Sequence, residues 1–515
     1  MLPRDNPQQR PGGGRMIFEA AFVALIGALH SLPFVHTGAW WIEPLMVALL
    51  AWRVAVAMPG RAALLGGVFG TAWLATGTWW LFISLHRYGG LPAWLAALAV
   101  ALLCALLSLY LAAATAGFAR WRLGRAAPDA LLFASLWLLA ELARGVIFTG
   151  FPWIASGYAH VDGPLAALAP WLGVYGIGFV SAGLAAWIAL AWRGTWRARA
   201  WPLAGSGAVL LAAAVLGPGD FTRPTGTLTV TLLQGNVAQD EKFAEDHLPE
   251  ALRWTREQLD AARGDLVIGP ETVIPLLPGQ LDPAYWQALL AHFRQSRQAA
   301  LVGLPLGDET QGYTNSAAGI SAASARLPGG FYRYDKHHLV PFGEFVPTGF
   351  RWFTELMNIP LGDFNRGLLN APSFAVKAER VAANICYEDL FGEELAARFT
   401  DPASAPTLFA NISNIGWFGD TIAVAQHLQI SRLRSLEFQR PMLRATNTGA
   451  TVVIDHHGRV TYALAPYTQG VLDGSVQGRD GLTPFAWWAS RWGIWPPALL
   501  ASVLVLGFAG TRRQP

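Results

Sequence analysis

Three short stretches of the chain each end a strand-like run with a group that can react. DLVIGPETVIP (265–275) carries Glu271 just after a Gly-Pro break. YRYDKHHLVPFGEFVP (332–347) carries Lys336 and Glu344. VAANICYEDLFG (381–392) carries Cys386 where an apolar run stops. The chain has two cysteines, and this one is followed by Glu388, Asp389, Glu393 and Glu394. A thiol reacts as its thiolate, and its ordinary pKa is about 8.5. Acids alone push that value up and quieten it. A cation, a helix N-terminus or a base is needed. Lys336 can supply the positive field, and Glu271 can take the thiol proton and hand it to a leaving group. Lys336 can also hold an oxyanion together with backbone N–H groups. Glu271 taken alone also reads as a surface turn acid. The three together make a complete set for acyl transfer through the thiol.

The elements that must position these groups alternate between strand and helix. Strand-like runs fall at 228–233, 265–268, 300–304, 381–385, 407–412 and 450–454. Helix-like runs fall at 248–263, 283–297 and 422–439. Apolar strands separated by helices predict an α/β layer sandwich, and about 255 residues suffice for one sizeable core. Glu393 and Glu394 are expected to face solvent on a helix after the thiol.

The rest of the chain has a different composition. Residues 16–217 hold few acids, and only 14% of the whole is charged, against about 25% in soluble proteins. A membrane span needs roughly 20 mostly apolar residues. Eight stretches qualify: 16–34, 40–56, 62–85, 91–116, 130–148, 165–192, 198–216 and 492–510. Arg4, Arg10 and Arg15 precede the first. Arg53 and Arg61, then Arg120, Arg122 and Arg125, then Arg193, Arg197 and Arg199 lie in alternate connections, and Arg512 and Arg513 follow the last. The positive-inside rule makes all of these cytoplasmic, which puts 218–490 on the other side. Trp40, Trp41, Trp79, Trp80, Trp487, Trp488, Trp492 and Trp495 sit at span ends and read as an interfacial belt. The chain therefore divides into a cytoplasmic leader (1–15), seven spans (16–217), a water-facing domain (218–490) and an eighth span with a cytoplasmic tail (491–515). The polar leader has no clear cleavage site, so the first apolar stretch reads as a span.

Several functions are excluded or disfavoured. The net charge is +3, and no Lys/Arg stripe is interleaved with exposed aromatics, so nucleic-acid binding is not expected. His337, His338, His456 and His457 come as adjacent pairs without zinc spacing, so no metal site is expected. Cys104 reads as a packed apolar residue. Glu141 and Arg144, at i, i+3 inside the fifth stretch, suit an intramembrane pair.

The order Glu271, Lys336, Cys386 resembles the triad of the nitrilase superfamily. PETVIP, YDKHHLVPFGEFVP, NICYED, SNIGWFG (413–419), RATNTG (444–449), TGFPW (149–153) and LTP (482–484) resemble the bacterial apolipoprotein N-acyltransferases over nearly the whole chain. The resemblance implies a multi-pass bundle of eight spans joined to a nitrilase-like α-β-β-α sandwich. It also implies transfer of an acyl chain from a phospholipid to the α-amine of a diacylglyceryl-cysteine at a lipoprotein N-terminus. Glu271 would be the base, Lys336 the stabiliser of the intermediate and Cys386 the thioester carrier. Glu344, Tyr387 and Glu388 match supporting positions. Trp153 and Trp417 match aromatics near the site, and Phe418 beside Trp417 is a lid candidate. Phe243 stands where the family often has Trp, which keeps apolar bulk and loses the indole N–H. Aromatics at 345–350, 352–353 and 417–418 are candidate lids. No cofactor is implied, and the expected partners are a phospholipid donor, a lipoprotein acceptor and the bilayer of the bacterial inner membrane. The catalytic domain would be periplasmic and the protein monomeric. A membrane-anchored amidase using water would need the same triad but soluble substrates. A transporter or receptor is disfavoured because the spans show no inverted repeat or row of acids.

Overall fold

A computed structural model of the chain describes residues 13–217, 219–347, 349 and 363–511. Arg4, Arg10, the lid candidates Phe350, Trp352 and Phe353, and Arg512 and Arg513 lie outside the described residues. The chain forms two compact units. One comprises Met1–Phe82, Ala93–Gly219 and Ile494–Pro515, the other Ile83–Pro92 and Asp220–Gly493.

The first unit is helical. Its helices Gly13–Leu29, Ile42–Val54, Pro59–Gly77, Ala93–Trp121, Ala126–Val146, Ala169–Ala191, Trp196–Leu216 and Trp495–Thr511 fall on the eight apolar stretches in order. Four segments are long and apolar enough to cross a membrane: Met16–Phe34, Ala93–Trp121, Ala126–Thr149 and Pro164–Ala191. The number is six if each of two bent helix pairs counts as one. Ile42–Val54 has 13 residues, roughly 20 Å of rise against a hydrocarbon core of about 30 Å. The third stretch, 62–85, is not one helix. Pro59–Gly77 ends where Trp80 Nε1 donates to the Gly77 carbonyl at 3.2 Å, and Ile83–Pro92 belongs to the other unit. Trp80 is correspondingly buried, its ring 4.8 Å from that of Trp153, rather than part of an interfacial belt.

Acids among these helices all find partners. Glu19 pairs with Arg53 and Arg61, and Glu43 takes His160 and the Ser181 hydroxyl. Glu141 lies 3.9 Å from Arg144 and accepts the Ser156 N–H at 2.7 Å. Close helix approach rests on small residues. A methyl on Gly66 would sit 2.1 Å from Thr115 Oγ1 and 2.9 Å from the Leu111 carbonyl.

The second unit is built on twelve strands: β1 (Thr222–Gln234), β2 (Leu266–Ile268), β3 (Ala299–Asp308), β4 (Gly312–Ile320), β5 (Tyr332–Asp335), β6 (Phe374–Val376), β7 (Glu379–Ile385), β8 (Leu408–Ser413), β9 (Met442–Thr446), β10 (Val452–Ile454), β11 (Val460–Ala463) and β12 (Gly470–Gly481). They form two six-stranded sheets, ordered β12-β1-β2-β3-β4-β5 and β11-β10-β9-β8-β7-β6. Each sheet has a parallel centre, β1-β2-β3 and β7-β8-β9, with antiparallel strands outside it. Strand period 2 sorts the side chains. Leu266 and Ile268 join Leu301, Val381, Ile385, Leu408 and Leu443 in the core between the sheets. Val267 points the other way, among Leu289, Leu290 and Phe293 of the Pro283–Gln295 helix. Across the second sheet, Phe409 of β8 meets Phe438 at the end of the Ile422–Phe438 helix, centroids 5.4 Å apart. The layers run helix, sheet, sheet, helix. The three helices expected from the sequence are present, ending within two residues of the expected places.

The parallel centres place β2 and β7 so that the turns after them carry Glu271 and Cys386. Gly303 of β3 makes room for the first turn. A methyl there would lie 2.5 Å from the Pro270 carbonyl, 2.6 Å from Thr272 N and 2.8 Å from Glu271 Cα, all backbone. Overpacking of this kind costs about 1–3 kcal/mol. Gly303→Ala should therefore lower the melting temperature in calorimetry and displace the Glu271 turn. An unchanged melting temperature would show that the turn yields freely.

Candidate active site

Glu271 stands on a turn whose next residue, Thr272, takes φ 47°. Its Oε1 accepts from Asn315 Nδ2 at 2.8 Å and its Oε2 from Asn414 N at 2.8 Å. Its backbone carbonyl accepts from the buried Lys242 Nζ at 2.8 Å. Lys336 follows β5, and its own N–H donates to the Asn315 carbonyl at 2.8 Å. With 1% of its side chain exposed, Lys336 Nζ lies 2.9 Å from Glu344 and 3.5 Å from Glu271 Oε1. Asn315 Nδ2 reaches Glu344 Oε1 as well, at 2.6 Å, and Val340 N donates to Glu344 Oε2 at 2.8 Å. One ammonium and one amide thus bridge two carboxylates.

Cys386 follows β7 with φ 53°, the left-handed region that costs a residue with a side chain about 1–2 kcal/mol. The chain turns sharply there into the 3-10 turn Cys386–Leu390. Glu388 ties the two sheets' reactive ends together. It accepts from Ile385 N at 2.6 Å, from His337 N at 2.6 Å, from His338 N at 3.2 Å and from the Tyr334 hydroxyl at 2.8 Å. Ile385 and His337 are the immediate neighbours of Cys386 and Lys336. Burial pushes the Glu388 carboxyl up, against the pull of these donors.

The electrostatics of the cluster combine opposing effects. Burial alone would lower the Lys336 ammonium, but Glu344 and then Glu271 outweigh it and hold it above its ordinary range. The charge is therefore already committed to two carboxylates. Burial, with Glu271 adding to it, pushes the Cys386 thiol up to about 12, and Lys336 offsets only part of this. These shifts favour the protonated sulfur over a lysine-stabilised thiolate. Burial brings Lys242 down to about 8 although Glu271 and Cys386 act the other way.

The remaining expected residues are placed as follows. Tyr387 is buried, its ring 5.2 Å from Phe391 and 5.7 Å from His338. Trp417 is half-buried, 5.6 Å from Tyr88, and Phe418 beside it is half-buried too. Phe243 is 49% exposed. Trp153 belongs to the helical unit, buried against Trp80. Glu394 does not face solvent freely. It accepts from His338 Nδ1 at 2.9 Å, and burial pushes its neighbour Glu393 up to about 7. His456 and His457 do approach an acid, Asp220, with donor atoms within 4.8 Å of one another. Asp220 also lies 3.8 Å from Arg479.

Sequence reasoning missed Asn315, Asn414 and Lys242. Asn315 gave no signal, because its strand β4 is rich in glycine and polar residues and does not read as a strand. Asn414 lies within SNIGWFG, and its backbone N–H rather than its side chain meets Glu271.

Residues 26–187 match the apolipoprotein N-acyltransferase N-terminal domain, and residues 229–481 match the carbon-nitrogen hydrolase domain. The chain is 56% identical over 504 residues to a protein of Verminephrobacter eiseniae named apolipoprotein N-acyltransferase, covering 92% of each chain. Proteins of the same name from Ralstonia nicotianae and Bordetella bronchiseptica are 45% and 41% identical. The first match covers 97% of this chain and 94% of the relative, the second 98% and 99%. With both halves matched in order and the relatives spanned almost end to end, the chain belongs to the apolipoprotein N-acyltransferase family.

Proposed function

We propose that this protein transfers a fatty acyl chain from a membrane phospholipid to the α-amino group of the diacylglyceryl-cysteine at a lipoprotein N-terminus. The supporting observation is a half-buried thiol in one cluster with a carboxylate that can take its proton and an ammonium held above its ordinary range. Because the thiol rests protonated, deprotonation accompanies attack. The Cys386 sulfur bonds to the ester carbonyl carbon as its proton passes to Glu271. The oxyanion is met by Lys336 and by N–H groups at the turn after Cys386. The ester C–O bond then breaks, Glu271 protonates the departing lysophospholipid oxygen, and a thioester remains. In the second half the acceptor amine attacks the thioester, Glu271 takes the amine proton, and the proton returns to the departing sulfur. Glu344 keeps Lys336 charged and placed. No step calls for a metal or organic cofactor.

Phospholipid and triacylated product are both insoluble in water, which suits a catalytic unit fused to apolar helices. We read all eight apolar stretches as crossings of the bacterial inner membrane, with both termini cytoplasmic and the catalytic unit periplasmic. The alternation of arginine-rich connections supports this, and a short helix such as Ile42–Val54 can be accommodated by packing within a bundle.

Incubation of the purified protein with a phospholipid carrying a radiolabelled acyl chain, without acceptor, should leave a hydroxylamine-sensitive label. Cys386→Ala should abolish it, and label persisting in that variant would sink the mechanism. A reporter fused after Pro515 should read as cytoplasmic in cells; a periplasmic signal would overturn the topology.

A further inference from the structure

Cys386 holds a left-handed backbone, φ 53°, that a side-chain-bearing residue leaves unless it is restrained. Its carbonyl carries the restraint. Asn411 Nδ2 donates to it at 3.2 Å, and His427 Nε2 lies 3.2 Å from it. Asn411 stands on the neighbouring strand β8. His427 stands on the Ile422–Phe438 helix behind the turn, with 1% of its side chain exposed.

The surroundings of the imidazole fix its proton. Arg444 NH2 is 2.6 Å from His427 Nδ1. A guanidinium only donates, so Nδ1 accepts and the ring's single proton sits on Nε2. That N–H points between the Cys386 carbonyl and Asp389 Oδ1, which is 2.9 Å away. Asp389 is completed by the Ser431 hydroxyl at 2.5 Å and by Arg444 NH1 at 3.3 Å. The aspartate and arginine balance each other, which leaves the imidazole neutral. Burial, then Arg444, push its pKa down in the same sense.

We propose that His427 is a positioning residue for the acyl-carrying thiol: Arg444 holds it as the neutral Nε2–H tautomer, and that N–H fixes the Cys386 carbonyl and so the direction of the sulfur. This rests on Cys386 being the acyl carrier. His427 meets the Cys386 backbone carbonyl. It acts through the backbone of the acyl-carrying residue.

Two substitutions separate this role from simple filling of space. Glutamine presents an N–H at the reach of Nε2, whereas asparagine ends at the reach of Nδ1. His427→Asn should slow thioester formation at saturating phospholipid roughly 100-fold, the scale of a small misplacement of a reacting group. The half-saturating phospholipid concentration should not move, and His427→Gln should restore most of the rate. Labelled wild type with equal rates in both variants would overturn the role of His427 alone. A wild type that takes no label would instead overturn the acyl-carrier reading. A spectroscopic readout needs no variant that folds: ¹⁵N spectra of histidine-labelled wild type should show His427 as the neutral Nε2–H form from pH 6 to 9. An imidazolium or an Nδ1–H form there would also overturn the proposal.

Discussion

One ammonium sets the conditions for everything around it. Lys336 Nζ sits 2.9 Å from Glu344 and 3.5 Å from Glu271 with almost no solvent. Three charged groups buried together cost several kcal/mol each in lost hydration, and the cost is offset only if every lone pair and proton finds a partner. Asn315, Val340 N and Asn414 N supply those partners. Removing one member of such a cluster leaves an uncompensated charge, a loss on the order of 3–5 kcal/mol. The same commitment explains why lysine does not ionise the thiol. Its field is spent on two carboxylates, and the net effect of burial and Glu271 on Cys386 is upward.

The fold meets this requirement by letting each sheet bring part of the cluster. Glu271 and Lys336 follow strands of the first sheet, and Cys386 follows a strand of the second. A direct polar tie also joins the ends of the two sheets at the cluster. Glu388 supplies that, because its one carboxylate accepts N–H groups from the residue before Cys386 and the residue after Lys336. Behind the second sheet, His427, Asp389, Arg444 and Ser431 form a buried polar layer. Polar groups placed there restrict backbone geometry in a way that apolar packing does not.

Much of this was legible in the sequence because the reactive residues end apolar runs that can only be buried strands. The parallel strands β2, β7 and β8 read clearly. Of the antiparallel outer strands only β10 falls on an expected run, 450–454. β4 is GYTNSAAGI and β12 is GVLDGSVQGRDG, both rich in glycine and polar residues with no alternation. Their place is set by pairing, such as Ala300 with Ile320 and Val230 with Gly474, which composition does not reveal. Asn315 was hidden inside such a strand. Trp80 was misplaced for the opposite reason: a tryptophan at the end of an apolar stretch looks the same whether it faces an interface or another ring. Glu394 was assigned to solvent because its partner, His338, is 56 residues away along the chain.

The most direct measurement concerns the order of proton and charge at the site. The pH dependence of Cys386 alkylation by iodoacetamide, in a Cys104→Ala background, reports the ionisation of the thiol. The wild type should alkylate slowly at neutral pH, its rate climbing without a plateau through pH 9, because burial and the Glu271 carboxylate hold the thiol far above the ordinary value of about 8.5. Glu271→Gln removes the negative neighbour, so the thiol should become more acidic and alkylate faster at a given pH. The same variant should lose acyl transfer by roughly 10²–10⁴-fold for want of a base. A thiol already ionised at pH 7, or one made less acidic by Glu271→Gln, would contradict a resting thiol deprotonated by Glu271 as it attacks.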